Sequence, residues 1–111
     1  MYLLGVDVGT SGVKALLIDS SGAVVASASE SYPLYTPRPL WAEQNPDDWW
    51  SATCTAIRRV LEQSGVSASE VRGVGLSGQM HGSVFLDERG ESIRPALLWC
   101  DQRTADECAW I

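Results

Sequence analysis

"GVDVGTSGVKALLID", residues 5–19, sets one acid, Asp7, among small apolar residues, turns through a glycine and two hydroxyls, and after a second glycine resumes as an apolar run. With the residues before it, the stretch reads as two strands, "YLLGVDV" at 2–8 and "VKALLID" at 13–19, joined by the tight turn "GTSG". A turn at "SSG" leads to a third strand, "AVVASASESY" at 23–32, so the chain opens as an antiparallel meander. The next stretch, "YPLYTPRPLW" at 32–41, holds three prolines. Proline fixes φ and has no N–H for a ladder, so this stretch is an extended surface connection.

A helix follows. Asn45 is a good N-cap, Pro46 suits the first helical position, and Asp47 and Asp48 lie where the helix dipole favours acids. Trp49, Thr53, Ala56, Ile57 and Val60 recur at helical steps and predict one buried face. Arg58 and Arg59, then Gly65, mark its end. "VRGVGLSG" at 71–78 reads as a fourth strand, and "SVFLDERGESI" at 83–93 as a hairpin turning at Glu88 to Gly90. Residues 3–25 laid over 71–93 show a weak echo at a spacing of 68, with Gly5, Val6, Asp19 and Gly22 meeting Gly73, Val74, Asp87 and Gly90. A meander, a crossover helix and a strand parallel to the first make an α/β plan with a mixed sheet. Ligands in such sheets collect at the carboxyl ends of strands, which would set Asp7 and "SGQMHG" (77–82) on one cleft.

The 111 residues are 45% apolar and 20% charged, an ordinary globular composition with room for one modest core. A net charge of -6 argues against nucleic acid and against anionic membrane surfaces as partners. Cys54, Cys100 and Cys108 form neither a disulfide framework nor a zinc spacing, which suits a cytoplasmic protein. Met1 reads as a true start, since no basic leader or apolar span follows it. "DQRTADECAWI" (101–111) starts like a helix and stops without a capping signal, so the chain is expected to be a fragment of a longer protein.

The turn at 9–12 admits two readings. In one, Gly9 and Gly12 let backbone N–H groups approach an anion, Thr10 and Ser11 add hydroxyls, and Lys14 adds charge. A carboxylate beside a phosphate is repulsive unless a divalent cation lies between, so Asp7 would then serve Mg2+. In the other, "GTSG" is a plain hairpin turn and Asp7 a solvated acid. Neither the Walker A nor the Rossmann glycine pattern is present.

Four ordered motifs decide between these readings: "GVDVGTSGVKALLID" (5–19), "PLWAEQNPDDWW" (39–50), "GVGLSGQMHG" (73–82) and "RPALLWCDQRT" (94–104). The first resembles the phosphate motif of the actin, Hsp70 and sugar-kinase ATPase superfamily. Together, from residue 2 to about residue 108, they resemble the N-terminal domain of the FGGY carbohydrate kinases. The resemblance implies a ribonuclease-H-like, actin-like ATPase fold, a mixed sheet with flanking helices, here incomplete and without the second domain. It also implies ATP-dependent phosphorylation of a small-molecule sugar, D-xylulose at its 5-position being the expected acceptor. ATP and Mg2+ are the implied cofactors, and a homodimer of the longer protein is an implied assembly.

Carried residue by residue, Asp7 organises Mg2+, through water, and the ATP phosphates; Gly9, Thr10, Ser11 and Gly12 form the phosphate turn, flanked by Lys14. Glycerol kinases tend to have arginine at the position of Lys14. Gln79, Met80 and His81 match the segment that contacts the sugar, whereas glycerol kinases carry arginine and glutamate there. A neutral imidazole both donates and accepts, which suits a sugar hydroxyl. Trp99 and Asp101 match the next segment bordering the sugar, although Trp99 also reads as a buried anchor and Asp101 as a cap for the last helix. Trp41, Trp49 and Trp50 read as packing residues. The catalytic base and adenosine site of the family lie downstream of these residues, so this chain alone is expected to be inactive. The other readings are a kinase of a different polyol or ketose, an actin-like or Hsp70-like ATPase, and a sugar-binding module without catalysis. "SGQMHG" with "LWCDQR" argues against the actin-like and Hsp70-like ATPases, which lack them.

Overall fold

The structure, a computed structural model, describes residues 1–111. Its main sheet contains β1 (Tyr2–Val8), β2 (Gly12–Asp19), β3 (Val24–Ser31) and β5 (Val71–Gly78). Their order is β3-β2-β1-β5. The first three strands form the antiparallel meander, and β5 returns parallel to β1 after the helix α1 (Pro46–Ser64). β4 (Glu43–Gln44) and β6 (Ala96–Leu97) form a small second ladder that nothing in the sequence pattern announced. It lays the 94–104 stretch against the end of the proline-rich connection.

Side chains alternate across a strand, and β1 and β2 use that period. Leu4 and Val6 face the helix with Val13, Ala15 and Leu17, and Ala52, Ala56 and Val60 of α1 close over them. Leu17, Val13 and Val60 are each at most 1% exposed, so each contributes about 1.5–3 kcal/mol of hydrophobic stabilisation. The helix starts as expected: Asn45 accepts from the Asp47 N–H at 3.0 Å, and Gly65 ends it at φ +68°. Its buried stripe runs through Ala52, with Thr53 only half-buried. Arg58 and Arg59 lie outside the last turn; Arg59 pairs instead with Glu30 of β3.

Several sequence expectations are corrected. Trp50 is 71% exposed, so of the three tryptophans expected to pack only Trp41 and Trp49 are half-buried. The 83–93 hairpin is reduced to a single bridge, Leu86 to Ser92, with the Asp87 carboxylate accepting from the Arg89 and Glu91 N–H groups. The echo at 68 extends only to the first strand of each unit: β1 and β5 are both strands, but no counterpart of β2 follows β5. Only α1 flanks the sheet; α2 (Ala105–Trp110) is short and buries no residue. No helix is long and apolar enough to cross a membrane.

Two glycines are required by close approach. A Cβ on Gly12 would lie 2.4 Å from the Glu30 carbonyl oxygen, and one on Gly78 would lie 2.6 Å from that of Val8. Both sit where strands meet the loops that carry the polar motifs.

Candidate active site

The turn between β1 and β2 is closed by the Gly9 N–H donating to the Gly12 carbonyl at 2.9 Å. That bond removes Gly9 as an anion donor and leaves the backbone N–H groups of Thr10 and Ser11 with no partner in the chain. The buried Tyr32 hydroxyl donates to the Gly9 carbonyl and pins the turn from below. Burial raises the Tyr32 pKa, and the negative charge of Asp7 raises it further, so this donor keeps its proton across the ordinary pH range.

Asp7 lies on the sheet face opposite α1, in register with Lys14 of β2 and Ser77 of β5. The three polar side chains line a hollow of about 400 Å³ with Gly5, Leu16 and Gly75. Ser77 donates its hydroxyl to one Asp7 oxygen at 2.8 Å. The other oxygen accepts from nothing in the chain and lies 3.9 Å from where a Gly9 Cβ would stand. Lys14 is exposed and joins no ion pair. A fixed, half-satisfied carboxylate beside two open N–H groups suits a phosphate-bound divalent cation. No cluster of three acids, cysteines or histidines exists, so the chain provides no all-protein metal cage.

The sugar-matched segment leaves β5 at once. Gln79 donates its N–H to the Val8 carbonyl at 2.8 Å, which places it beside the β1–β2 turn. Met80 is 70% exposed, and His81 is exposed at φ +62°, a left-handed backbone that costs a non-glycine residue. Gln79, Met80 and His81 line a second hollow of about 530 Å³ together with Val8, Trp49 and Leu98.

Hydrogen bonds connect these segments. The Thr10 hydroxyl donates to Gln79 Oε1 at 3.3 Å and accepts from the Trp99 indole at 3.0 Å. Gln44, 1% exposed, donates to the Thr10 carbonyl at 2.7 Å and accepts from both Gln79 Nε2 and Trp49 Nε1 at 3.0 Å. Trp99 is 58% exposed, so it is a polar contact to the turn and not the buried anchor that its sequence also allowed.

Asp101 does not cap α2, whose N-cap is Thr104. Its side chain is 4% exposed and accepts from the Arg103 guanidinium at 2.7 to 3.0 Å and from the Ala42 N–H at 2.7 Å. The Arg103 hydrogen bonds hold this carboxyl well below the usual carboxylate range, and the same contacts raise the Arg103 pKa. Arg103 also donates to Glu43 at 2.7 Å and stacks 3.6 Å above the Trp41 ring. Both Asp101 oxygens are therefore engaged within the chain, which ties the segment carrying Trp99 to Ala42 and Arg103.

The sequence reading passed over Gln44, Ser77 and Tyr32. Gln44 lies inside the quoted motif "PLWAEQNPDDWW", but no local pattern gives it a role. Ser77 becomes visible only once the β1/β5 register is known.

A mixed sheet of this order with one flanking helix is the fold of the FGGY kinase N-terminal, actin-like ATPase domains. Residues 2–111 match the N-terminal domain of the FGGY family of carbohydrate kinases, and the chain belongs to that family. It is 48% identical over 108 residues to the xylulose kinase of Klebsiella pneumoniae, covering 97% of this chain and 22% of that protein. A glycerol kinase of Afipia carboxidovorans is 37% identical over 109 residues, again covering 97% of this chain and 22% of the relative. The crystal structure of a xyloylose kinase from Brucella ovis superposes with a TM-score of 0.95 at 43% identity, covering 99% of this chain and 23% of that one. The chain thus spans about a fifth of the length of the curated relatives it matches.

Proposed function

We propose that these residues are the phosphate-binding and part of the sugar-binding half-site of an ATP-dependent kinase that converts D-xylulose to D-xylulose 5-phosphate. The observation that carries the reading is the hydrogen-bonded contact between the Thr10 turn and Gln79. It brings an anion site and a sugar-matched segment within one hydroxyl of each other. D-xylulose is favoured over glycerol by Met80 and His81 in the second hollow.

Phosphoryl transfer needs positioning and charge stabilisation more than covalent chemistry. The Thr10 and Ser11 N–H groups and the Ser11 hydroxyl hold phosphate oxygens, and Lys14 adds a positive charge at the rim. Asp7, oriented by Ser77, would hold Mg2+ through water; the cation supplies neutralisation of the phosphate charge. His81 and the Gln79 amide orient sugar hydroxyls, each able to donate and accept. Trp99 fixes the Thr10 hydroxyl, and Asp101 acts at one remove by holding the segment that carries Trp99. The base that takes the sugar proton is expected downstream of these residues, and the 111-residue chain alone is expected to turn over no sugar.

Asp7→Asn in the full-length protein tests this role. It keeps the Ser77 contact and the shape but removes the charge, and it lowers kcat for sugar-dependent ADP release by about a hundredfold, roughly 3 kcal/mol of charge stabilisation. Unchanged kcat in a folded Asp7→Asn protein refutes the role.

A further inference from the structure

Gln44 is the only wholly buried polar side chain that touches both the anion turn and the sugar-matched segment. Its amide nitrogen holds the Thr10 carbonyl at 2.7 Å. Its amide oxygen receives Gln79 Nε2 and Trp49 Nε1, each at 3.0 Å. Those bonds fix which end of the Gln79 amide faces the turn: Oε1 points at the Thr10 hydroxyl.

A threonine hydroxyl has one proton to give. Here that proton goes to Gln79 Oε1 across a long 3.3 Å, while Trp99 occupies an acceptor site on the same oxygen at 3.0 Å. An anion arriving at the turn competes for that single proton, and a charged acceptor forms the stronger bond. Once Thr10 donates to the anion, Gln79 Oε1 has lost its donor and is open to a sugar hydroxyl. Gln44 meanwhile keeps Gln79 Nε2 in place.

We propose that Gln44 is a positioning residue that couples the two half-sites: the Thr10 hydroxyl serves either Gln79 or a phosphate oxygen, so nucleotide binding frees Gln79 Oε1 for the sugar. By linkage, sugar bound at Gln79 favours the nucleotide by the same factor. The identity of the second ligand rests on the sugar-kinase reading; the link from anion turn to Gln79 and Gln44 does not.

The test uses the full-length protein labelled with 5-fluorotryptophan, with calorimetric D-xylulose binding measured with and without MgADP. In the unsubstituted protein MgADP tightens D-xylulose binding about fivefold or more. It also shifts the fluorine signals of both Trp99, bonded to Thr10, and Trp49, bonded to Gln44, each assigned from its Phe variant. In Gln44→Met the affinity gain falls below about twofold and the Trp49 response to MgADP disappears while the Trp99 response stays. Full coupling retained in Gln44→Met overturns the proposal, as does a D-xylulose affinity indifferent to MgADP in the unsubstituted protein. Should Gln44→Met not fold, the unsubstituted protein decides alone: a Trp49 signal that ignores MgADP overturns the link. Should no sugar bind at all, the substrate reading fails, and the same Trp49 signal still decides the link.

Discussion

Arg103→Met removes the cation that neutralises two nearly buried acids while keeping an apolar stem over the Trp41 ring. Arg103 is 12% exposed, against 4% for Asp101 and 11% for Glu43. The Asp101 carboxylate would keep only the Ala42 and Arg103 backbone N–H groups as partners. Glu43 would keep Arg94, which is itself 43% exposed. Breaking a buried pair by deleting one partner costs about 3–5 kcal/mol, because the remaining charge stays desolvated. Domains of this size have roughly 5–15 kcal/mol in total, so the substitution lowers Tm by about 12–20 °C. Arg59→Met is the internal control: that residue pairs with Glu30, but it is 52% exposed, and solvent limits the pair to about 1 kcal/mol or less. Thermal unfolding by circular dichroism at pH 7 compares the two. Equal losses, or an Arg103→Met loss below about 1 kcal/mol, refute the claim that this cluster braces the site. The sign of the pH dependence follows from Asp101. Its folded pKa is depressed, so its contribution is complete above the unfolded value near 4 and is lost as pH falls below that toward the folded value. Arg103→Met therefore flattens the stability profile below about pH 4.

Gly78→Ala drives a Cβ to 2.6 Å from the Val8 carbonyl and strains the bond from Gln79 N–H to that oxygen; it costs about 1–3 kcal/mol in urea unfolding. Gly75→Ala, which meets nothing within 4 Å, changes the midpoint little, and equal effects of the two would contradict the packing. Trp99→Phe keeps an aromatic face but deletes the donor to the Thr10 hydroxyl, lowering kcat/KM of the full-length protein roughly three- to tenfold, the worth of one neutral hydrogen bond. No change in kcat/KM would return Trp99 to a passive surface residue.

The frame of the sheet was legible because its signals are local. The alternation in β1 and β2, the "GTSG" turn and the Asn45–Pro46 start of α1 each depend on neighbours a few residues apart. What failed depended on distant pairing. "SVFLDERGESI" has a competent turn at Asp87, but its first residue, Ser83, pairs with Leu97 of β6 and its two arms share a single bridge, Leu86 to Ser92. β4 and β6 are two residues each, too short for any period to show. The same division holds at the site. Asp7 and its turn stand out within one hairpin, whereas Ser77 and Gln44 reach that turn from sequence separations of 70 and 34. Asp101 was placed by its motif, but a motif does not reveal that Arg103, two residues on, takes its charge.

Transfer of the ATP γ-phosphoryl group to D-xylulose is the activity we propose for this half-site in the full-length protein. The most direct measurement is sugar-dependent ADP release by the full-length protein across D-xylulose, gluconate and glycerol, each taken to kcat/KM. The expected result is at least about a tenfold preference for D-xylulose, some 1.4 kcal/mol of differential transition-state binding. A preference for glycerol or gluconate, or ADP release indifferent to any sugar, would contradict it.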